Sequence, residues 1–578
     1  MMTTVVAIDL GASSGRVLRG VFDGERLTIE ECSRFPNGPV AVPGPRRSDA
    51  SQSGDEAQVA YEWDILALWR GILEGLREAS LRGAVDAIGI DTWAVDYGLL
   101  DEDGRLIGNP ASYRSARCGV GASEVLDRWD SSWLYEHNGL QFQPFNTLFQ
   151  RVADRGERRA DCARTALLIP DLLAYWLTGE ARSELTNAST TGLVNAAERD
   201  WDPEILNRLR DDFGVEHLFP PIIEPGEIVG EARVEGLELR TSTGEPTPVV
   251  AVGSHDTASA VVGVPAQTGS FAYISSGTWS LVGTELSAPV LSEEARAANF
   301  TNELGVDGTV RFLANIMGMW VQQECLREWA SLGDNASGAG GRVDWPLLDA
   351  QTEAAQPARY LLDMSSPELM APGGMVERVR SLWIPGPGVS SSPSVDDESS
   401  SVDEAGVSVG DTQASAVDPR ERATVLRAIT DSLALAYRRA IRRTFELSGT
   451  RPEAIHLVGG GSKNRLLAQE TADATGIPVI AGPVEATALG NMLISLRAIG
   501  AASGTLMELR AISQASSVLE TYEPRASHAR PRAEQRCGAG RGRGSVSPHR
   551  TPYRLSAGRL PLKTRNSAEQ RHPPPTDR

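Results

Sequence analysis

The sequence predicts an α/β protein of two domains, and three observations carry that reading. At 578 residues the chain exceeds what one ordinary core organises, so two domains of about 200 to 250 residues each are expected. Apolar β-branched runs alternate with stretches of helical periodicity, as in a sheet with helices on its faces. A β-turn-β unit near the N-terminus recurs about 260 residues later, which suggests a duplicated architecture.

The first unit is Val5-Val6-Ala7-Ile8-Asp9-Leu10-Gly11, a polar turn Ser13-Ser14-Gly15-Arg16, and a returning apolar run from Val17. The second is Phe271–Ser276, Gly277-Thr278, and Trp279–Val282. Further strands are expected at Ala87–Asp91 and Val249–Gly253, and helices around Ile65–Ala79 and Asp171–Leu177. The clearest helix follows Asp418-Pro419: Leu426, Ile429, Leu433, Tyr437, Ile441 and Phe445 recur at helical spacing, Glu421 sits early, Arg438–Arg443 sit late, and Gly449 stops it. A strand at Ala454–Val458 then runs into Gly459-Gly460-Gly461-Ser462-Lys463-Asn464 and a second helix. Residues 387–417, rich in Ser, Asp, Glu and Gly, read as a disordered acidic insertion, and residues 525–578, rich in Arg, Pro and Gly, as a disordered basic tail.

Composition narrows the function classes. Hydrophobic residues at 41% and charged residues at 23% describe an ordinary globular chain. The start of the chain lacks a basic region and meets an acid by residue 9, so it does not read as a signal peptide, and a cytoplasmic protein is expected. Five scattered cysteines without ligand spacing fit a reducing compartment and no structural zinc. The net charge of −20 hides a split: residues 525–578 hold 13 Lys+Arg against 3 Asp+Glu, and the rest holds 43 against 73. So acidic a body argues against nucleic acid or an anionic membrane as partner. With seven histidines, three of them in the tail, acid–base work falls to carboxylates.

Three features point to phosphoryl transfer. In Asp9–Arg16 a small-residue turn offers backbone N–H groups and hydroxyls to a phosphate while Asp9 can hold a hydrated Mg2+; the alternative is an ordinary hairpin turn. In Gly253-Ser254-His255-Asp256-Thr257, Asp256 stands just past a buried strand end, where it can accept a hydroxyl proton. Spacing alone favours a helix N-cap for Asp256, and a core hydrogen-bonding role for His255. The glycines of Gly459–Asn464 would let backbone approach a nucleotide, though structural turns look the same. Rivals are absent: neither lysine completes a P-loop, and no dinucleotide fingerprint or protein-kinase motif is found.

With those residues assembled, the chain resembles the FGGY carbohydrate kinases of the actin-like ATPase superfamily. The matching stretches are Ala7–Val17, IGIDTWAVD at 88–96, GLQFQPFNTLFQ at 139–150, Leu185–Asp202, GSHDT at 253–257, SSGTWS at 275–280, NIMGMWVQQ at 315–323, and Val458–Asn464 with Ile480–Asn491. Their wording favours the branch acting on L-rhamnulose; kinases of L-fuculose, xylulose or glycerol, or an actin-like ATPase that is not a kinase, are the alternatives. The resemblance implies two RNase H-like domains, about 1–245 for sugar and 246–500 for nucleotide, with an interdomain cleft. It implies ATP and Mg2+, with Asp256 as general base and Ala12, Ser13, Ser14, Gly15 and Arg16 on the ATP phosphates. Thr278, Gln323 and Gly460 would also face the nucleotide, and Ala94, His255, Thr257 and Asn315 would sit beside the sugar. Ala94 departs from the family's usual TWGVD, so its methyl bears on which sugar is accepted.

Overall fold

Strict alternation of side chains along the first strand sets the architecture. The computed structural model describes residues 2–43, 59–331, 337–338, 342–343, 345–370, 373–386 and 418–525. Strand β1 (Thr3–Leu10) turns Val6, Ile8 and Leu10 to one face and Val5 and Ala7 to the other, as the two-residue period of a strand requires. It pairs antiparallel with β2 (Ser14–Phe22), which pairs with β3 (Leu27–Pro36), and parallel with β4 (Ala87–Thr92). Strands β5 (Ile228–Glu231) and β6 (Pro248–Val250) complete a six-stranded sheet in the order β3-β2-β1-β4-β6-β5. The face of Val6 and Ile8 packs on α1 (Ile65–Leu81), through Leu68, Ile72 and Leu76, and on α2 (Ile169–Thr178), through Leu172, Leu173 and Leu177.

The second sheet repeats this plan. Strands β7 (Phe271–Ser276), β8 (Trp279–Leu286), β9 (Thr301–Leu304), β10 (Val310–Met317), β11 (Ala454–Val458), β12 (Val479–Ala481) and β13 (Glu520–Tyr522) lie in the order β9-β10-β8-β7-β11-β12-β13. Reading outward from β7, one side is antiparallel β8 and β10; the other is parallel β11, parallel β12 and antiparallel β13. Those are the senses of β2 and β3, and of β4, β6 and β5, around β1. The duplication suggested by two short hairpins therefore extends to six strands of each sheet, with β9 added at one edge.

Helices between and outside the sheets follow from apolar spacing. Helix α3 (Asp256–Val262) puts Ala260 and Val261 against Phe271 and Tyr273 of the second sheet, while its Val262 joins the core under the first. Helix α4 (Trp320–Ser331) and the 30-residue α5 (Pro419–Ser448) cover the opposite face of the second sheet, with α6 (Arg465–Thr475). Asp418 caps α5 by accepting from the Arg420 N–H at 2.9 Å, and Gly449 ends it at φ 73°. Helix α7 (Ala486–Ala498) returns to pack on α3 and on β1 and β4. The two helices meet backbone to backbone: a Cβ on Gly490 would lie 1.8 Å from the Ser259 carbonyl oxygen, and one on Gly263 2.2 Å from that of Ala486.

The first sheet takes in β6 at 248–250, past the expected domain limit of 245. Arg525 corrects the expected start of the tail: its backbone N–H and its Nε each donate to the Asp473 carboxylate at 2.8 Å, which fixes it to the fold. The expected insertion at 387–417 and the rest of the tail, 526–578, lie outside the described residues. Among the described residues no helix is long and apolar enough to cross a membrane, and Cys32, Cys118, Cys162 and Cys325 are free thiols.

Candidate active site

Cross-strand register assembles a charged row at one end of the first sheet. Asp9 lies opposite Arg16 on β2 and opposite Asp91 on β4. Alternation places Asp9 on the face of Val5 and Ala7, toward α7 and α3. Arg16 is held between two carboxylates, Asp9 and Glu485, the latter just before α7. Asn491 of α7 donates from Nδ2 to Asp91 Oδ2 at 2.7 Å, and Gly89 leaves the space this needs, since a Cβ there would come within 2.1 Å of Asn491 Oδ1.

Burial raises the Asp9 pKa; Arg16 opposes the shift, and the negative charges of Asp256 and Glu485 add to it. Burial also pushes Asp91 well above the ordinary carboxylate range, with the charges of Asp9 and Asp256 contributing and the Asn491 bond opposing. Although burial disfavours its charge, Arg16 is kept above its ordinary pKa by Asp9 and Glu485. Asp9, Asp91 and Asp256 thus feel one another through a poorly screened space, in which Arg16 is the cation paired to Asp9. Asp91 Oδ1 is buried without a hydrogen-bond partner. Hard carboxylate oxygens with an orphaned acceptor among them suit Mg2+, which keeps waters and phosphate oxygens and needs one or two carboxylates from protein. Among the described residues no group of three or more His, Cys, Asp or Glu could hold a metal ion alone.

Asp256 opens α3, and its side chain is 34% exposed. His255 occupies the N-cap position, so the capping role that spacing favoured for Asp256 is not adopted. The segment before it is tied down on both sides. Thr92 N–H donates to the Ser254 carbonyl at 2.9 Å, and buried Glu184 accepts from Ser254 Oγ at 2.6 Å and from its N–H at 3.1 Å. Glu184 also accepts from the N–H groups of Thr186 and Asn187, at 2.9 and 3.0 Å. Burial raises its pKa, and these donors oppose the rise. His255 is itself a core side chain, 7% exposed, as its sequence context favoured; its Nε2 lies 3.4 Å from Asp256 Oδ1. Thr257 is buried and donates from Oγ1 to the same oxygen at 3.1 Å.

Ala94 begins a strained turn. Val95 sits at φ 68°, a costly conformation for a β-branched residue, and the Asp96 N–H closes back on the Ala94 carbonyl at 2.9 Å. The surroundings enforce it. Asp96 Oδ2 accepts from Trp63 Nε1 at 2.6 Å and from the Tyr113 N–H at 3.1 Å, and its Oδ1 accepts from Gln150 Nε2 at 2.9 Å. Thr147 Oγ1 donates to the Val95 carbonyl at 2.7 Å. Asn315, on β10, donates from its backbone and from Nδ2 to Gln141 Oε1, at 3.0 and 3.1 Å, and so joins the two halves of the chain.

The remaining predicted residues gather at the second sheet. Thr278 lies in the β7–β8 turn, where the carbonyls of Gly277 and Thr278 accept from the N–H groups of Met319 and Trp320 at 3.0 and 3.2 Å. Exposed Gln323 is on the first turn of α4 that follows. Exposed Gly460 is in the turn after β11, whose neighbour Gly461 leaves no room for a Cβ, 2.0 Å from Ser276 Oγ. At the first hairpin Ser13 is exposed, Ala12 and Ser14 are half-buried, and Gly15 is buried under Phe35.

Sequence reasoning missed Asp91, Asp96, Gln141, Glu184, Glu303, Arg311, Glu485 and Asn491. Several lie inside the matched motifs, in IGIDTWAVD, in GLQFQPFNT and at the end of Ile480–Asn491, so a signal was present for them. Glu303 and Arg311 carry none, since a strand charge looks solvated until its partner is known.

Residues 46–263 match the FGGY family of carbohydrate kinases, N-terminal domain, and residues 272–499 match its C-terminal domain. The chain belongs to the FGGY family of carbohydrate kinases. It has that family's two-domain, actin-like architecture, and it is a sugar kinase that transfers phosphoryl from ATP. This FGGY kinase is 38% identical to the rhamnulokinase of Bacteroides thetaiotaomicron over 530 residues, covering 91% of its own length and 96% of that protein. With the rhamnulokinase of Enterococcus faecalis it shares 36% identity over 529 residues, 90% of this chain and 93% of the other. Among solved structures it is similar to a gluconate kinase from Lactobacillus acidophilus, with a TM-score of 0.66 at 15% identity over 92% of this chain and 95% of that one. A glycerol kinase from Plasmodium falciparum gives 0.64 at 15% identity over 91% and 94%. At such identities these two structures speak for the fold alone.

Proposed function

We propose that this kinase phosphorylates L-rhamnulose at its 1-hydroxyl, using ATP with Mg2+, in the cytoplasm. The observation that carries the chemistry is Asp256: partly open, at the start of α3, and within electrostatic reach of Asp9 and Asp91. The sugar follows from the relatives named rhamnulokinase, each matched along about nine-tenths of the chain.

In this reading Asp256 accepts the proton of the 1-hydroxyl as that oxygen attacks the γ-phosphorus and the bond to the ADP oxygen breaks. Asp9 and Asp91 would hold the Mg2+, which supplies positive charge to the transferring group. Arg16 and the backbone of residues 12–15 bind phosphate oxygens, Arg16 exchanging a carboxylate partner for the nucleotide. Thr278, Gln323 and Gly460 line the nucleotide side, and Ala94, His255, Thr257 and Asn315 the sugar side.

The test is a panel of ketoses and polyols assayed for ADP release. L-Rhamnulose is expected to give the highest kcat/KM. A higher value for L-fuculose, xylulose or glycerol would overturn the sugar, and ATP hydrolysis unaffected by any acceptor would overturn the transfer itself.

A further inference from the structure

The ring of His255 is gripped from behind by a group that can only donate. Glu303 on β9 and Arg311 on β10 are cross-strand partners, and both are buried, at 6% and 0% exposure. The Arg311 guanidinium is fixed at every edge. Its Nε and one terminal nitrogen donate to the Leu304 carbonyl, at 3.4 and 3.2 Å, and that same nitrogen reaches the Thr186 carbonyl at 3.5 Å. Its other terminal nitrogen lies 2.9 Å from Glu303 Oε2 and 3.1 Å from His255 Nδ1. Burial works against the Glu303 charge, but the Arg311 guanidinium beside it holds its pKa below the ordinary value, so it stands ionised as the counter-ion of Arg311.

A guanidinium has no lone pair to offer and does not lose its proton in proteins. The nitrogen that faces it at hydrogen-bond distance must accept. We propose that Arg311 is a positioning residue for phosphoryl transfer: by donating to His255 Nδ1 it confines the ring proton to Nε2, the nitrogen facing Asp256 Oδ1. The His255 backbone is tied to the same segment, its N–H donating to Thr186 Oγ1 at 3.3 Å, next to the carbonyl that Arg311 also reaches.

The consequence falls on the general base. Asp256 Oδ1 then faces two donors, the Nε2–H at 3.4 Å and Thr257 Oγ1 at 3.1 Å. Among the described residues Oδ2 has no hydrogen bond, so it is the oxygen left to take the hydroxyl proton. With the opposite tautomer, Nδ1–H would point at Glu303, 3.3 Å away, and Nε2 would present a lone pair to a carboxylate, turning Asp256 out of line. An enzyme whose histidine carries its proton on the wrong nitrogen keeps its geometry and loses rate.

The inference rests on Asp256 as the base, and its test is chosen to be separable from that reading. The full chain is labelled with 15N-histidine, and the His255 ring resonances are assigned by their loss in His255→Gln. In the wild type an unprotonated Nδ1 and a protonated Nε2 are expected; a protonated Nδ1 would overturn the proposal, whatever sugar is turned over. Arg311→Met is expected to shift the proton toward Nδ1 and to lower kcat about tenfold or more with KM for ATP unchanged, while Arg311→Lys, which still donates, recovers part of the loss. An unchanged kcat in Arg311→Met with the tautomer shifted would sink the catalytic consequence. Where Arg311→Met does not fold, the double variant Arg311→Met with Glu303→Leu removes the unpaired buried charge without setting a new donor against Nδ1 and gives the same two readouts.

Discussion

Asn491 donates to Asp91 at 2.7 Å across 400 residues of sequence, joining α7 to the charged end of the first sheet. Both residues are fully buried, so the bond stands where neither group has water as an alternative. Removing the donor leaves a carboxyl with two unmet oxygens. Asn491→Ala is expected to lose about 1 to 3 kcal/mol of unfolding free energy, read by urea titration. Asn491→Asp, which sets a second carboxylate beside the first, is expected to lose more.

Asp256→Asn preserves shape and one acceptor oxygen but cannot take a proton. Its melting temperature and its ATP affinity by calorimetry are expected to match the wild type, with kcat for sugar phosphorylation down about 100- to 10,000-fold. Near-normal turnover would remove Asp256 from the chemistry.

Burial pushes the Asp96 pKa up to about 6, with its donors Gln150, Trp63, Tyr113 and Trp93 acting in the other direction. In the unfolded chain the group titrates near 3.8. Between those values the folded state binds more protons than the unfolded one, so stability falls as pH rises through the window. Asp96 therefore contributes stability that is fully present below about pH 4 and lost by about pH 6, roughly 3 kcal/mol in all. Urea unfolding at several pH values is expected to show this fall in the wild type and not in Asp96→Asn.

Gly490→Ala drives a methyl into the Ser259 carbonyl, 1.8 Å away. Backbone cannot yield as a flexible side chain does, so α3 and α7 must part. A loss of about 3 kcal/mol or more is expected, with a lower kcat as well, because α3 begins at Asp256. Gly108, at φ 75° with open space around it, is the contrasting site, where alanine meets backbone strain and no collision.

Much of the fold was legible because local pattern and tertiary role agree. The alternation of Val5 to Leu10, the capped periodicity from Asp418 to Gly449 and the two hairpins each specify an element without help from distant residues. The site divides differently. Asp9 stands near a strand end and Asp256 just past an apolar run at the start of α3, where a polar residue already calls for a reason. Arg311 and Glu303 become a buried pair only once β9 and β10 align, and Glu184 is distinguished by reaching Ser254, 70 residues on. The left-handed Val95 contradicts the preference of its own side chain, so only the enclosing bonds from Thr147 and around Asp96 account for it.

The repeated sheet plan has a bearing on how the enzyme can change. At matching places in the two hairpins, Asp9 and Gly11 answer to Ser275 and Gly277, so one copy of the motif is acidic and the other carries neutral hydroxyls. Each copy can accumulate substitutions without disturbing its twin. With Thr278 facing the nucleotide and Asp256 removing the proton, as proposed above, preference among nucleoside triphosphates can drift at the hydroxyl-bearing copy while proton removal, anchored beside the acidic one, is inherited unaltered.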